Sequence, residues 1–319
     1  MTGYVLRRVA YLVPVLLALS VLAFGMIEIA PGDPARVILQ QQTGQPLTDA
    51  EVAAFRERMG FADPFVVRYV RWLRGAVTGD LGRSLRTGEP VFEELATRSL
   101  VTLEVALPAF LLGLAVALVT GTIAAVRRNR VADHASRLAA LVGASMPSFW
   151  LAYLLILAFA VELGVAPVSG RGGWDHLILP TVTLAVGAAA ALMRLARASL
   201  LDVLGEPFIK AARARGIPPR RTVLRHGMKN GLIPVVTFAG IRFGHLLGGA
   251  VIIETVFAWP GLGKHVVDSI HGRDFPTIQG FVLFIGAAFV LLNLAVDVLY
   301  VRLDPRVRLG AGAERTDDR

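Results

Sequence analysis

Arg242 and His245 stand three residues apart in the stretch Leu232–Ile253, and Glu254 follows directly after it. At helical spacing, positions three apart share a face, so the two polar side chains form one strip in apolar surroundings. Burying an ionisable group without a partner is costly. Such a strip therefore either lines a path for a polar solute or is held by internal pairs and hydrogen bonds that fix a helix bundle. Glu254, at the outer end of the stretch, reads first as a structural residue and second as part of a gate. A larger cluster runs from Glu206 to Gly216, where Lys210, Arg213 and Arg215 surround the small Ala211 and Ala212. Small side chains let another surface approach closely, and the cations can pair with acids on that surface. The plainer alternative is a solvated basic loop attracted to anionic lipid headgroups.

Catalytic chemistry finds no support. The chain has no cysteine, which excludes disulfides, thiolate metal sites and cysteine nucleophiles. No Gly-x4-Gly-Lys-Ser/Thr phosphate loop is present, and no paired carboxylates or nucleophile arrangement stands out. The chain is expected to be no enzyme, to bind no ATP, cofactor or metal itself, and to draw any energy it uses from elsewhere.

The elements that must position these residues are apolar. Of 319 residues, 55% are hydrophobic, and the mean hydropathy is +0.60. Uncharged runs extend over Val9–Ile27, Val105–Val126, Leu138–Val161, His176–Met193 and Phe275–Val296. Each approaches the ~20 residues that a helix needs to cross a bilayer core, and a soluble core helix rarely runs so far without a charged face. Leu232–Ile253 has the right length despite Arg242 and His245, because polar residues in a bundle can face a pathway instead of lipid. The sequence thus predicts six membrane-spanning helices. The first run exceeds the ~7–15-residue apolar core of a signal peptide and is expected to remain as a span.

The net charge of +9 follows the membrane sides instead of pooling on one groove-binding face, so nucleic acid is not an expected partner. Arg7 and Arg8 precede the first span, and Arg127, Arg128, Arg130 and Arg137 fill the second connection. The segment Arg194–Lys229 is strongly basic, and Arg302, Arg306 and Arg308 follow the last span. The connections at Gly164–Asp175 and Trp259–Asp274 are nearly neutral. The positive-inside rule then places both termini in the cytoplasm of a multi-pass cell-membrane protein.

Between the first two spans lies a polar segment, 31–99, expected outside the cell and folded. Thr48 and Glu51 have capping-box spacing for a helix reaching about Met59, with Gly60 as its stop. Phe65, Val66, Tyr69, Val70, Trp72, Leu73 and Val77 form one apolar face opposite Arg68, Arg71 and Arg74. That face packs on the bundle or lies in the membrane interface; a role in receiving a delivered ligand is the sharper reading. Gly240, Gly244, Gly248 and Gly249 recur along the fifth span and suggest close approach by a neighbouring helix. Prolines at Pro147, Pro180 and Pro234 suit helix starts, and the tail 310–319 has the composition of a disordered segment.

In the basic island, Pro207 fits a first helical position, Phe208–Arg215 gives two turns, and Gly216 can take the left-handed conformation that ends them. Pro218 and Pro219 delay the next helix. A short helix with defined ends, lying across the membrane face, is the result.

These residues resemble a family. Ala211, Ala212 and Gly216, with Leu232, Ile233 and Pro234 at the end of the island, look like the EAA loop of type I permease subunits of ATP-binding-cassette importers. Arg213–Ile217, Leu224–His226, Lys229, Asn230 and Pro234–Val236 are similar to the dipeptide and oligopeptide permeases of the DppB and OppB kind. Further matches are Tyr4 with Arg7 and Arg8, Ala30–Ala35, Asp80–Gly82 with Ser84, Ser145–Phe149 and His176–Pro180. Gly248 with Gly249, Glu254 with Phe257, Pro260 and Gly263, Arg273–Pro276, Asn293 with Asp297, and Asp304–Arg306 complete them. The general acidic position of the EAA pattern falls at Lys210 here, with Glu206 one turn earlier.

The resemblance implies an all-α integral membrane protein with six transmembrane helices, the type I ABC importer fold, and an extracytoplasmic helical segment between the first and second spans. It implies an N-terminal helix at 1–30, the extracytoplasmic segment at 31–99 and a transmembrane domain at 100–302. That domain would hold helices at about 101–126, 138–161, 177–197, 232–255 and 276–301, a coupling loop at 201–231, and then a cytoplasmic tail at 303–319. Glu206, Lys210, Ala211, Ala212, Arg213, Arg215 and Gly216 would contact an ATPase subunit, and Glu254 looks similar to a gate-proximal position of the family, while Arg242 and His245 are candidate pathway residues on their own chemistry. The implied partners are a second homologous permease, two ATP-binding subunits that hold ATP and Mg, an extracytoplasmic substrate-binding protein and membrane lipids. The implied function is import of dipeptides or oligopeptides by alternating access, or of nickel, glutathione or another small solute. An ion-coupled secondary transporter, the rival of a different class, would show midplane acids and broken helices; the apolar runs are nearly free of acids.

Overall fold

The structure, a computed structural model, describes residues 2–29 and 33–303. The sequence features at 30–32, Asp304–Arg306 and 310–319 lie outside the described residues, as do the side chains of Tyr4, Arg7, Arg8, Asp297, Arg302 and Arg308. Helices α1 (Thr2–Ile29), α2 (Pro34–Thr43), α3 (Asp49–Arg58) and α4 (Phe65–Val77) precede the long α5 (Val91–Val126). Helix α6 (Val131–Ser145) leads to α7 (Ser148–Leu155), which continues as a π-helical stretch over Ile156–Glu162. Then come α8 (Asp175–Gly205), α9 (Pro207–Ala214), α10 (Pro219–Arg221), a π-helical stretch over Thr222–Gly227, and α11 (Met228–Gly231). The chain closes with α12 (Ile233–Val256), α13 (Leu262–His271) and α14 (Phe275–Leu303).

Helices α5, α8, α12 and α14 are long and apolar enough to cross a membrane. α6 with α7 and its π-helical continuation makes a fifth candidate bent by 103°, so the single helix expected over 138–161 is broken. Pro147 is the cause: its ring pushes the preceding residue out of the helical region, and Met146 sits at φ −82°, ψ 123°. The first apolar run lies in α1, whose apolar stretch is Ala10–Met26. Two other boundaries differ from expectation. α5 begins at Val91, inside the segment assigned to 31–99, and α8 reaches Gly205, so the basic connection proper starts at Glu206.

The chain divides into two compact units that cut across the expected 1–30, 31–99 and 100–302 division. One comprises the residues through Val101 with Pro260–Leu291; the other comprises Thr102–Trp259 and the residues from Leu292 on. The boundary passes through the interior of α5, where no Gly, Pro or charge run marks it in the sequence.

In the first unit, α1 meets α4 through Phe24, which lies edge-on to Phe65 and Tyr69 with ring centroids 5.4 and 5.7 Å away. The Ser20 and Tyr69 hydroxyls lie 2.7 Å apart. Phe65, Tyr69 and Trp72 face Phe24 at i, i+4 and i+7, with Phe65 at the exposed edge of the contact, while Val66, Val70 and Val77 stay exposed. The α4 stripe is therefore wider than the contact it makes within the chain. The Asp33 carboxylate accepts from the Ala35 amide at the start of α2, and Thr48 and Glu51 form a complete capping box on α3. Asp274 is fully buried and accepts hydrogen bonds from Ser84 Oγ (2.6 Å), the Leu85 amide (3.0 Å) and Thr277 Oγ1 (2.8 Å). Two sequence motifs far apart, Asp80–Ser84 and Arg273–Pro276, are thereby one structural joint.

In the second unit α8 is central. Leu192, Met193 and Ala196 pack with Ala117 and Ala124 of α5, Ala140 of α6, and Val235 and Ala239 of α12. Apolar association gains little from solvent exclusion in lipid, so helices there depend on close packing of small residues. One close approach lies on α5: a Cβ added at Gly121 would stand 2.9 Å from the Ala196 Cβ and 3.0 Å from the Met193 carbonyl oxygen. The expected glycine stripe on α12 does not act in this way throughout. Gly240 packs on Val296, but Gly248 and Gly249 face open space.

Gly121→Val should separate α5 from α8 and destabilise the fold by about 1–3 kcal/mol, as overpacking does. Gly248→Ala should leave it unchanged. Melting of the two variants in detergent, followed by size-exclusion chromatography, checks the contrast.

Candidate functional site

The basic helix α9 has the ends that its residues require. Glu206 is extended (φ −65°, ψ 149°), Pro207 opens the helix, and Arg215 follows its last turn. Gly216 adopts φ +75°, where a β-branched residue is strained. The Gly216 amide donates to the Arg213 carbonyl (2.9 Å) and the Ile217 amide to the Ala212 carbonyl (3.2 Å), which satisfies carbonyls at the helix end. Pro218 is extended (φ −56°, ψ 140°) and Pro219 opens α10, so the chain leaves helical geometry between Ala214 and Pro219.

The faces of α9 divide the expected contact residues. Lys210, Ala211, Arg213 and Arg215 are exposed, as are Glu206 and Gly216. Ala212 is buried, and with the fully buried Ile209 it anchors the helix to its own chain. Ala212 thus lies on the inner side, which corrects its expected place in a partner contact: at helical geometry Ala211 and Ala212 point about 100° apart. Phe208, 42% exposed, takes an outer position that the sequence reading left out.

Arg242 and His245 come together as their spacing requires. Both line a cavity of about 390 Å³ in the second unit, bounded by α6, α7, α8 and α12. Arg194 of α8 joins them there, although the sequence reading counted it with the basic connection. Only the packing of α8 against α12 brings it there, a long-range contact that leaves no local signal. The Arg242 guanidinium lies over the Phe238 ring, 5.1 Å from its centroid, and its Nε is buried without a hydrogen-bond partner. Glu254 is elsewhere: it is 2% exposed and accepts a 2.5 Å hydrogen bond from Thr102 Oγ1 on α5. The carboxylate joins two helices and does not line the cavity.

Arg197 turns away from the cavity. Its Nε and Nη2 donate to Asp133 Oδ1 and Oδ2 at 2.7 and 2.8 Å, a side-on fork that joins α6 to α8. The Asn129 amide donates to the same carboxylate at 2.9 Å, from a residue with φ +61°. Asp133 is fully buried, and its partner lies 64 residues away on another helix, so nothing local in the sequence singles it out.

A further titratable group lies in the first unit. His265 of α13 is buried, with Nε2 3.6 Å from Glu94 Oε2 and Nδ1 3.4 Å from Arg86 Nη2. Burial lowers its pKa from the usual histidine value; Arg98 and Arg86 act in the same direction, and Glu94 and Asp274 oppose them.

Long apolar helices, a cationic cavity among four of the helices and an exposed basic helix are the features of a multi-pass membrane protein. The family follows from sequence. Residues 117–309 match the binding-protein-dependent transport system inner membrane component, and residues 1–106 match the N-terminal membrane component of the same systems. The chain belongs to this family of ABC importer permeases. It is 42% identical over 309 residues to the glutathione transport system permease protein GsiC of Escherichia coli strain K12, covering 97% of this chain and 99% of that protein. The GsiC protein of Salmonella paratyphi A gives the same identity and coverage.

Among solved structures, a chain of the MetNI methionine ABC transporter in inward-facing conformations superposes with a TM-score of 0.57 at 24% identity. It covers 68% of this chain and 99% of its own. A chain of an amino acid ABC transporter solved with histidines gives 0.51 at 16% identity, over 67% and 94%. These likenesses show the fold, that of the type I ABC importer permeases. The break at Pro147, a feature that also marks ion-coupled carriers, therefore belongs to an importer permease.

His265 generates a pH dependence whose sign is set. Its folded pKa lies below the ordinary value of about 6.5, so as pH falls the unfolded chain takes up the proton first. Stability is full above about pH 6.5 and is lost as pH falls through the folded pKa, by at most about 1.4 kcal/mol per pH unit. Melting temperatures above and below that range should fall more steeply for the wild type than for His265→Asn.

Proposed function

We propose that this chain forms part of the translocation pathway for a short peptide, with glutathione, itself a tripeptide, as the first candidate. The carrying observation is the 42% identity to GsiC along almost the full length of both chains. Dipeptides and oligopeptides are the wider class, from the motifs shared with their permeases. The cavity supports a solute of this kind: about 390 Å³ falls within the roughly 300–1,000 Å³ of small-molecule sites, and its polar groups are few.

In this reading a second homologous permease completes the pathway, two ATP-binding subunits hold ATP and Mg, and a substrate-binding protein delivers the solute from outside. The basic connections face the cytoplasm together with both termini, and 31–90 lies outside. Helix α9 is the coupling helix. Its outward residues Lys210, Ala211, Arg213 and Arg215 meet the ATPase subunit, with Glu206 and Gly216 at its two ends. Closure of the ATPase pair moves these helices and turns the pathway from inward-open to outward-open.

Uptake of labelled glutathione and of alanylalanine by the complete importer in proteoliposomes tests the function. ATP-dependent accumulation of either is the expected result, and accumulation by this chain without ATPase subunits would overturn the assignment.

The docking face has its own test. In this Cys-free chain, Ala211→Cys should cross-link to the ATPase subunit and Ala212→Cys should not. Equal cross-linking at both positions, or none at Ala211, would remove α9 from the interface as described.

A further inference from the structure

We infer that Arg242, with Arg194 and His245, forms a carboxylate-binding site within the pathway that takes the C-terminal carboxylate of the transported peptide. The inference rests on the peptide reading above and names the chemical group recognised.

The first observation is the basic character of the lining. The cavity is lined by Arg194, Arg242 and His245, by the hydroxyl-bearing Ser148 and Thr183, and otherwise by glycine, alanine, methionine and aliphatic side chains; among the described residues no acidic one lines it. Two guanidinium groups around one small volume repel each other, and the repulsion grows as water is excluded. The Asp133 carboxylate is engaged by Arg197, and neither residue lines the cavity.

The second observation is an unmet donor. Arg242 Nε is buried with no hydrogen-bond partner, a condition that costs free energy until an acceptor arrives. The Phe238 ring stabilises the cation through its face but supplies no acceptor for an in-plane N–H. A carboxylate does, since its two oxygens match the fork of a guanidinium. Thr183 Oγ1 already donates to the Leu179 carbonyl at 2.7 Å, so the cations remain the principal recognition groups.

The third observation is depth. At 1.5 Å per residue, Arg194 stands roughly 17 Å before the end of α8 at Gly205, and Arg242 roughly 14 Å beyond the start of α12 at Ile233. Both helices enter from the basic connection, so the two arginines lie near the middle of a hydrocarbon core of about 30 Å. Ionisable residues at that depth mark substrate paths. Arg194 lines the cavity and is exposed, and Gly249 on its wall leaves space that a side chain would fill.

The experiment uses the complete importer with its unaltered binding protein and follows initial uptake of glutathione and alanylalanine. Arg242→Gln should lower uptake at least about tenfold, the size expected when one partner of a desolvated charge pair is removed. Arg242→Lys should restore a large part of it, and Arg194→Gln should cause a smaller loss. ATP hydrolysis stimulated by the loaded binding protein should persist in all three, showing assembled transporters. Wild-type uptake in Arg242→Gln, or equal failure of the Gln and Lys variants, overturns the inference. If Arg242→Gln does not assemble, Arg194→Gln against Arg194→Lys gives the same charge comparison at an exposed position. A wild-type importer that takes neither peptide removes the substrate reading and this inference with it. Peptide import indifferent to the charge at 242 and 194 removes the inference alone.

Discussion

The close approach of backbones along α8 is the constraint on which the second unit depends. Helices α5, α6 and α12 all pack on this one element, through alanines and through Gly121, where one added methyl group meets a backbone carbonyl. Lipid gives apolar surfaces little reason to associate, so contact at short range has to hold the helices together. Polar links then fix their order: Arg197 to Asp133 joins α8 to α6, and Glu254 to Thr102 joins α12 to α5. Because α8 is held so tightly on these sides, the arginine it presents to the cavity is held in place with it.

Much of the fold was legible because its signals are local. Uncharged runs near the length of a membrane crossing, a Thr48 and Glu51 capping box, and a Pro207 to Gly216 helix each depend on a few adjacent residues and short-range geometry. What the sequence obscured depends on distance. Nothing near Asp274 announces that it will accept from Ser84, and nothing near Asp133 announces Arg197. The broken third span shows a different difficulty. Pro147 was read as a helix start, which it is, but an apolar run continuing on both sides concealed that one helix had become two.

The candidate site divides in the same way. Arg242 and His245 share a face by spacing alone, so their meeting follows from helical geometry. Arg194 belongs with them only because α8 and α12 run side by side, which no pattern within α8 reveals. For α9 the order of residues established the helix and its ends, while the direction of each side chain depended on where the rest of the chain lay. Ile209 and Ala212 turned inward and left Ala211 outside.

That narrow footing has a mechanical meaning. A helix resting on two inward side chains has little adhesive area, so its position is governed mainly by its tethers. One end follows α8 after a single residue, Glu206; the other reaches α10 through the turn at Gly216. Such an element acts as a crossbar between two rods: a load applied to its outer face passes into α8 on one side and into the 219–231 segment on the other.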